Sequence, residues 1–200
     1  MSNSQLILAS GSPRRRWLLT EAGVRFTVVV PRLAEVWEDD DPENTLRLAV
    51  EKAQWTAELL RHDPPRDVRS EADLFLLAAD TIVLLDERIL GKPKDADDAV
   101  RMLSSLSGRQ HQVTTGVAII NPAGQIRTLR VDSQVKIRPL TNSEITRYVA
   151  TGSPLDKAGA YAVQDEAWRL VEEVVGSQSN VIGLPVAETQ QLLKDSGWKA

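Results

Sequence analysis

Cysteine is absent from the 200-residue chain. That excludes disulfides, thiolate zinc sites and cysteine nucleophiles together. Histidine is scarce, and neither His62 nor His111 has a metal-ligand partner at useful spacing. His62 closes a predicted helix, where it suits the dipole, and His111 opens a predicted strand as a structural side chain. Positive charge is not in excess: 24 Lys and Arg stand against 28 Asp and Glu, a net charge of -4. With no wide basic face, no nucleic-acid partner is expected. The five tryptophans are scattered rather than spaced as a base-stacking platform. Long hydrophobic runs are missing too. The first, residues 6–9, is far too short for a signal peptide or a membrane span, so a cytoplasmic chain with no membrane partner is expected. No Walker-type loop and no GxGxxG follows a predicted strand, which disfavours P-loop kinases and dinucleotide oxidoreductases.

What is present suits one globular domain over residues 1–200, with 42% apolar and 26% charged residues. Near its start, Ser10-Gly11-Ser12-Pro13-Arg14-Arg15-Arg16 loads three arginines onto the first turn of a predicted helix. Ser12 is a good N-cap and Pro13 a good first residue. A capping box would place Glu or Gln three residues past the cap, where this chain has Arg15. Cations at an already positive helix end are unfavourable unless an anion sits there, and phosphate is the expected occupant. Arg16, about 100° further round the helix, is read as surface.

The pattern predicts strands at residues 5–9 and 26–30, the latter stopped by Pro31. A helix follows over 43–60, with Leu46, Ala49, Val50, Ala53, Ala57 and Leu60 at helical spacing. Its acidic lead-in, residues 38–41, reads as a solvated complement to the helix dipole rather than a metal site. Residues 74–79 predict a central strand interrupted by Asp80-Thr81, resuming over 82–85 and turning at Asp86-Glu87. Asp95 caps a helix closed by Gly108, and residues 111–120 and 125–137 form a hairpin. Thr141 and Glu144 make a capping box for a helix to about Ala150. A strand near 168–175 and a final helix after Pro185 follow. The expected fold is α/β: a mixed twisted sheet flanked by helices.

Asp80 stands out, because a carboxylate closing a buried strand is costly unless paired or near a metal. Ligands bind at strand ends in open α/β sheets, although a turn-capping Asp is an equal reading. Lys52 lies at the edge of its helix's apolar stripe, where snorkelling alone would account for it. Lys92 sits between Gly91 and Pro93, and Lys157 precedes Ala158-Gly159, with Tyr161 and Gln164 beyond. With Arg14 and Arg15 these lysines supply five cations, enough to meet a triphosphate.

Taken in order, LASGSPRRRWLL, Lys52-Ala53, AADTIV, GKP, LSGRQHQV, DKAGAYAVQ and NVIGLP resemble the Maf family from Leu6 to about Leu193. The resemblance implies an inosine triphosphatase-like fold and a nucleoside triphosphate pyrophosphatase needing Mg²⁺ or Mn²⁺. Asp80 would be the general base or water-positioning carboxylate. Glu35 would be a second carboxylate, both carboxylates being metal ligands. Arg14, Arg15, Lys52, Lys92 and Lys157 would bind phosphates, with Lys92 counted among the catalytic groups, and Ser10 and Ser12 would add contacts. Thr81, Arg14 and Gln164 match the specificity positions of the dTTP/UTP subclass, Thr81 and Gln164 meeting a pyrimidine edge. The family precedent also implies a homodimer and, through its septum-formation name, a link to cell division. Alternatives are another nucleotide such as 7-methyl-GTP, or a non-catalytic nucleotide-binding division regulator. Three positions depart from the pattern. Ala34 replaces an Asp before Glu35, Ser153 a Glu before Pro154, and Asp165 a Gly after Gln164.

Overall fold

A computed structural model describes residues 4–33, 40–69, 73–165 and 167–199. The chain runs β1 (Ser4–Ala9), α1 (Pro13–Glu21), β2 (Thr27–Val29), α2 (Asn44–His62), β3 (Asp73–Leu85), β4 (Arg88–Leu90), α3 (Ala96–Leu106) and β5 (Gln110–Ile120). It continues through β6 (Ile126–Ile137), α4 (Asn142–Ala150), β7 (Val171–Val175), α5 (Gln178–Ile182) and α6 (Val186–Asp195). Two short 3₁₀ turns, Ser153–Asp156 and Ala158–Ala160, lie between α4 and β7.

The local signals behave as their chemistry demands. The Ser12 hydroxyl accepts the Arg15 N–H at 3.4 Å, capping an α1 whose first turn holds no acidic residue. Asp95 accepts the Asp98 N–H at 2.7 Å to start α3. At α4 both halves of the Thr141/Glu144 capping box form.

Among the described residues the sheet has seven strands in the order β2-β1-β3-β5-β6-β7, with β4 pairing β3. β1 is parallel to both β2 and β3, while β4 is antiparallel to β3 and β7 to β6. The mixed sheet and its helices give the α/β class that the sequence implies.

One expectation is corrected. β3 does not stop at Asp80 but runs unbroken to Leu85, so Asp80 lies inside a strand rather than at its end. β4 and α5, of three and five residues, escaped the sequence reading because neither is long enough to show a period.

By its internal contacts the chain forms two compact units. The first holds the described residues up to Asp80, Thr115–Val131, and those from Gly183 onward; the second holds Thr81–Thr114 and Asp132–Ile182. In the first, Ala49 and Ala53 of α2 join Ile7, Ala9, Leu76, Ala78, Ala118 and Ile120 in one core. In the second, Leu103 and Leu106 of α3 and Ile145 and Tyr148 of α4 pack with Val83, Val113, Val135 and Ile137. α2 begins where β5 has no side chain: a Cβ on Gly116 would stand 2.4 Å from the Thr45 carbonyl carbon.

Candidate functional site

The first unit holds Ser10, Ser12, Arg14, Arg15, Lys52 and Asp80. Asp80 is 5% and Lys52 7% exposed, and the Lys52 ammonium donates to Oδ1 of Asp80. Lys52 therefore does not snorkel; it turns inward from α2, beside Ala49 and Ala53, onto β3. Replacing a buried ion pair by apolar residues is often neutral or stabilising by about 1–4 kcal/mol. Stability alone is thus a weak reason for this one.

At the arginine-loaded helix start, Ser10 is buried and its hydroxyl accepts from the Ser12 N–H at 3.2 Å and from Arg15 Nη1 at 3.3 Å. Arg15 Nε donates to the Gly183 carbonyl at 2.8 Å. Arg15 is thereby fixed in direction by two partners, one of them far along the chain. Arg14 is half-buried and Arg16 exposed, as the angular spacing implies.

The second unit holds Thr81, Lys92, Lys157 and Gln164. Along β3, alternation gives Asp80 the face of Leu76 and Ala78, and Thr81 the face of Val83. Lys92 and Gln164 are exposed, and Thr81 and Lys157 half-buried. The loops carrying the two lysines are joined, because the Gly159 N–H donates to the Gly91 carbonyl at 3.1 Å. Glu35 lies outside the described residues.

One buried polar residue was not singled out in the sequence. Asn180, wholly buried, donates to the Val113 carbonyl and to the Ser133 hydroxyl, each at 3.0 Å, joining α5 to β5 and β6. Its place in NVIGLP was the available signal.

His111 is 3% exposed, with Nε2 at 2.7 Å from the Tyr161 hydroxyl. Burial lowers its pKa from 6.5 to about 4 and pushes the Tyr161 phenol up. The histidine is therefore a neutral structural group at physiological pH. The unfolded chain takes up this proton below pH 6.5 and the folded chain only near pH 4, so stability falls as pH drops through that window. At 1.36 kcal/mol per unit, the loss approaches about 3 kcal/mol. The Glu144 carboxyl, held down to about 2 by Arg138 and by the cap, adds a further loss between pH 4.5 and 2. Thermal melts from pH 7.5 to 4.5 should show the first loss, and His111→Gln should flatten it; an unflattened curve refutes the cause.

For a divalent ion, Asp80 offers a hard oxygen donor. Among the described residues no group of three or more His, Cys, Asp or Glu comes together. A carboxylate is the donor type that Mg²⁺ or Mn²⁺ takes, commonly one or two of them with water and phosphate oxygens completing the shell. No helix among the described residues is long and apolar enough to cross a membrane.

Residues 5–196 match the family described as Maf-like protein. A curated protein of Geobacter metallireducens named dTTP/UTP pyrophosphatase is 45% identical over 198 residues, covering 98% of this chain and 97% of that one. Proteins of the same name from Alkalilimnicola ehrlichii and Vibrio parahaemolyticus are 46% and 41% identical, covering 95% of this chain and 92% and 96% of their own. Among solved structures, the Staphylococcus aureus Ham1 protein matches 96% of this chain and 99% of its own with a TM-score of 0.50. At 13% identity this is a likeness of fold alone.

Proposed function

Because the chain belongs to the Maf family, we propose that it is a nucleoside triphosphate pyrophosphatase acting on dTTP and UTP. The observation that carries the reading is the buried Asp80 carboxylate held by the Lys52 ammonium inside β3. Relatives at 41–46% identity that bear the name dTTP/UTP pyrophosphatase support it.

In this reading Asp80 orients a water molecule and takes its proton. The water oxygen bonds to the α-phosphorus, the bond from that phosphorus to the bridging oxygen breaks, and pyrophosphate leaves with that oxygen. Nucleoside monophosphate is the second product. Such a reaction depends on positioning and charge neutralisation more than on covalent catalysis. Lys52 aims the carboxylate. Arg14 and Arg15, at the α1 N-terminus with the hydroxyls of Ser10 and Ser12, bind phosphate oxygens. Lys92 and Lys157 are the further cations assigned to phosphate, and Thr81 and Gln164 the groups assigned to the pyrimidine. Asp80 would hold Mg²⁺ or Mn²⁺ with Glu35 as second carboxylate, and the chemistry such an ion supplies is neutralisation of phosphate charge.

Pyrophosphate release measured over a panel of nucleoside triphosphates, with and without Mg²⁺, tests the reading. Release from dTTP and UTP well above the other nucleotides is expected, and it should disappear with chelator. Preferential release from 7-methyl-GTP would reassign the substrate. No release from any nucleotide would overturn the enzyme in favour of a binding protein.

A further inference from the structure

In the second unit a hydrogen-bond network joins Lys157 to side chains that the mechanism above leaves unused. The Tyr148 hydroxyl donates to Oδ2 of Asp165, and the Ser153 hydroxyl donates to the same oxygen at 2.9 Å. The Lys157 ammonium donates to the Ser153 carbonyl, to its hydroxyl at 3.2 Å, and to Asp156 at 2.7 Å. Tyr148 is fully buried in α4, its ring 5.2 Å from that of Trp168, so it is a fixed anchor. Burial, and next the Asp165 carboxylate, push its phenol up, so it stays a donor. Asp165 follows Gln164 directly, and Ser153 opens the 3₁₀ turn that leads into Lys157.

We propose that Asp165 is the positioning residue for base recognition. Its carboxylate ties the backbone at Gln164 to α4 and, through Ser153, to Lys157, so that the base-reading and phosphate-binding groups are set together. The roles of Gln164 and Lys157 rest on the pyrophosphatase reading; the network does not. Two hydroxyl donors on one half-buried carboxylate oxygen are charge-assisted bonds, about twice as strong as neutral ones. Ser153 and Asp165 touch in this chain, so a single carboxylate serves the pair.

The test compares Asp165→Gly, Ser153→Glu and the double variant with the wild type. Hydrogen exchange of the backbone amides of residues 157–165 reads the tether directly. Kinetics across dTTP, UTP, dCTP and GTP, with calorimetric affinities for the same nucleotides, read its consequence. Asp165→Gly should speed exchange in that segment, raise KM for dTTP about tenfold with kcat nearly kept, and narrow the preference for dTTP. The double variant should recover most of each, whereas Ser153→Glu alone sets two carboxylates together and should not. Ser153→Ala, the milder change, removes the hydroxyl that joins Asp165 to Lys157 while the Tyr148–Asp165 bond and the Ser153 carbonyl's bond to Lys157 stay, and should raise KM for every nucleotide equally. Unchanged exchange in Asp165→Gly overturns the proposal whatever the activity. So does an equal fall in kcat for every nucleotide with selectivity intact, which marks a merely structural role. A wild type that turns over nothing defeats the pyrophosphatase reading instead, with exchange and affinities still deciding the tether.

Discussion

Asp80→Asn should leave a folded protein whose turnover is down by about 10²–10⁴-fold, the range for losing a positioned general base. The substitution keeps shape and one hydrogen-bond acceptor for Lys52 but removes the charge that takes the proton. KM should change less than kcat, because the arginines and the other lysines still hold phosphate when Asp80 loses its share of the ion. Removing one partner of a buried ion pair costs about 3–5 kcal/mol when the other charge stays behind. Asp80→Asn will therefore melt lower, and a stability control is essential. Lys52→Met/Asp80→Asn supplies it: with both charges gone, stability should return toward the wild type while turnover stays lost. Stability and activity then separate, which a purely structural ion pair would not allow. Turnover of Asp80→Asn within about tenfold of the wild type would refute the assignment.

Features written within a few residues were legible before any coordinates. The Ser12 cap, the Asp95 cap and the Thr141/Glu144 box each involve positions three apart, and all three form. The strands β5 and β6 are likewise local: the pattern puts them at 111–120 and 125–137, and they run Gln110–Ile120 and Ile126–Ile137. What failed depended on partners distant in sequence. Asp80 seemed to end a strand because an unpaired charge does not belong inside one. Its partner Lys52 lies 28 residues upstream on a helix, and nothing in either segment announces the pairing. Lys52 seemed to snorkel for the same reason. The arginine-loaded α1 pointed correctly to an unusual helix end, yet the Gly183 carbonyl that aims Arg15 is 168 residues away. Ser153 and Asp165 read as two unrelated departures until the fold set one against the other. Chemistry carried by residue type was thus readable, while its geometry had to come from tertiary contacts.

Gly116→Ala should be the most damaging small substitution for stability. Its Cβ would lie 2.4 Å from the Thr45 carbonyl carbon and 2.6 Å from both the Thr45 carbonyl oxygen and the Leu46 nitrogen. All three are backbone atoms in the first turn of α2, and Thr45 is wholly buried, so no side chain can swing aside. Overpacking costs about 1–3 kcal/mol where side chains absorb it, and more where backbone must move. Against a total stability of about 5–15 kcal/mol, that is a large share. Gly91→Ala is the control, because its Cβ would meet nothing within 4 Å; it should melt within a degree or two of the wild type. The clash also has a functional reach. Lys52 sits two helical turns beyond Thr45, so displacing the start of α2 at about 1.5 Å of rise per residue moves the ammonium that aims Asp80. Gly116→Ala should accordingly lose activity even at temperatures where it remains folded, through kcat more than KM. Full activity in a folded Gly116→Ala protein would mean that α2 can shift without disturbing the Lys52–Asp80 pair.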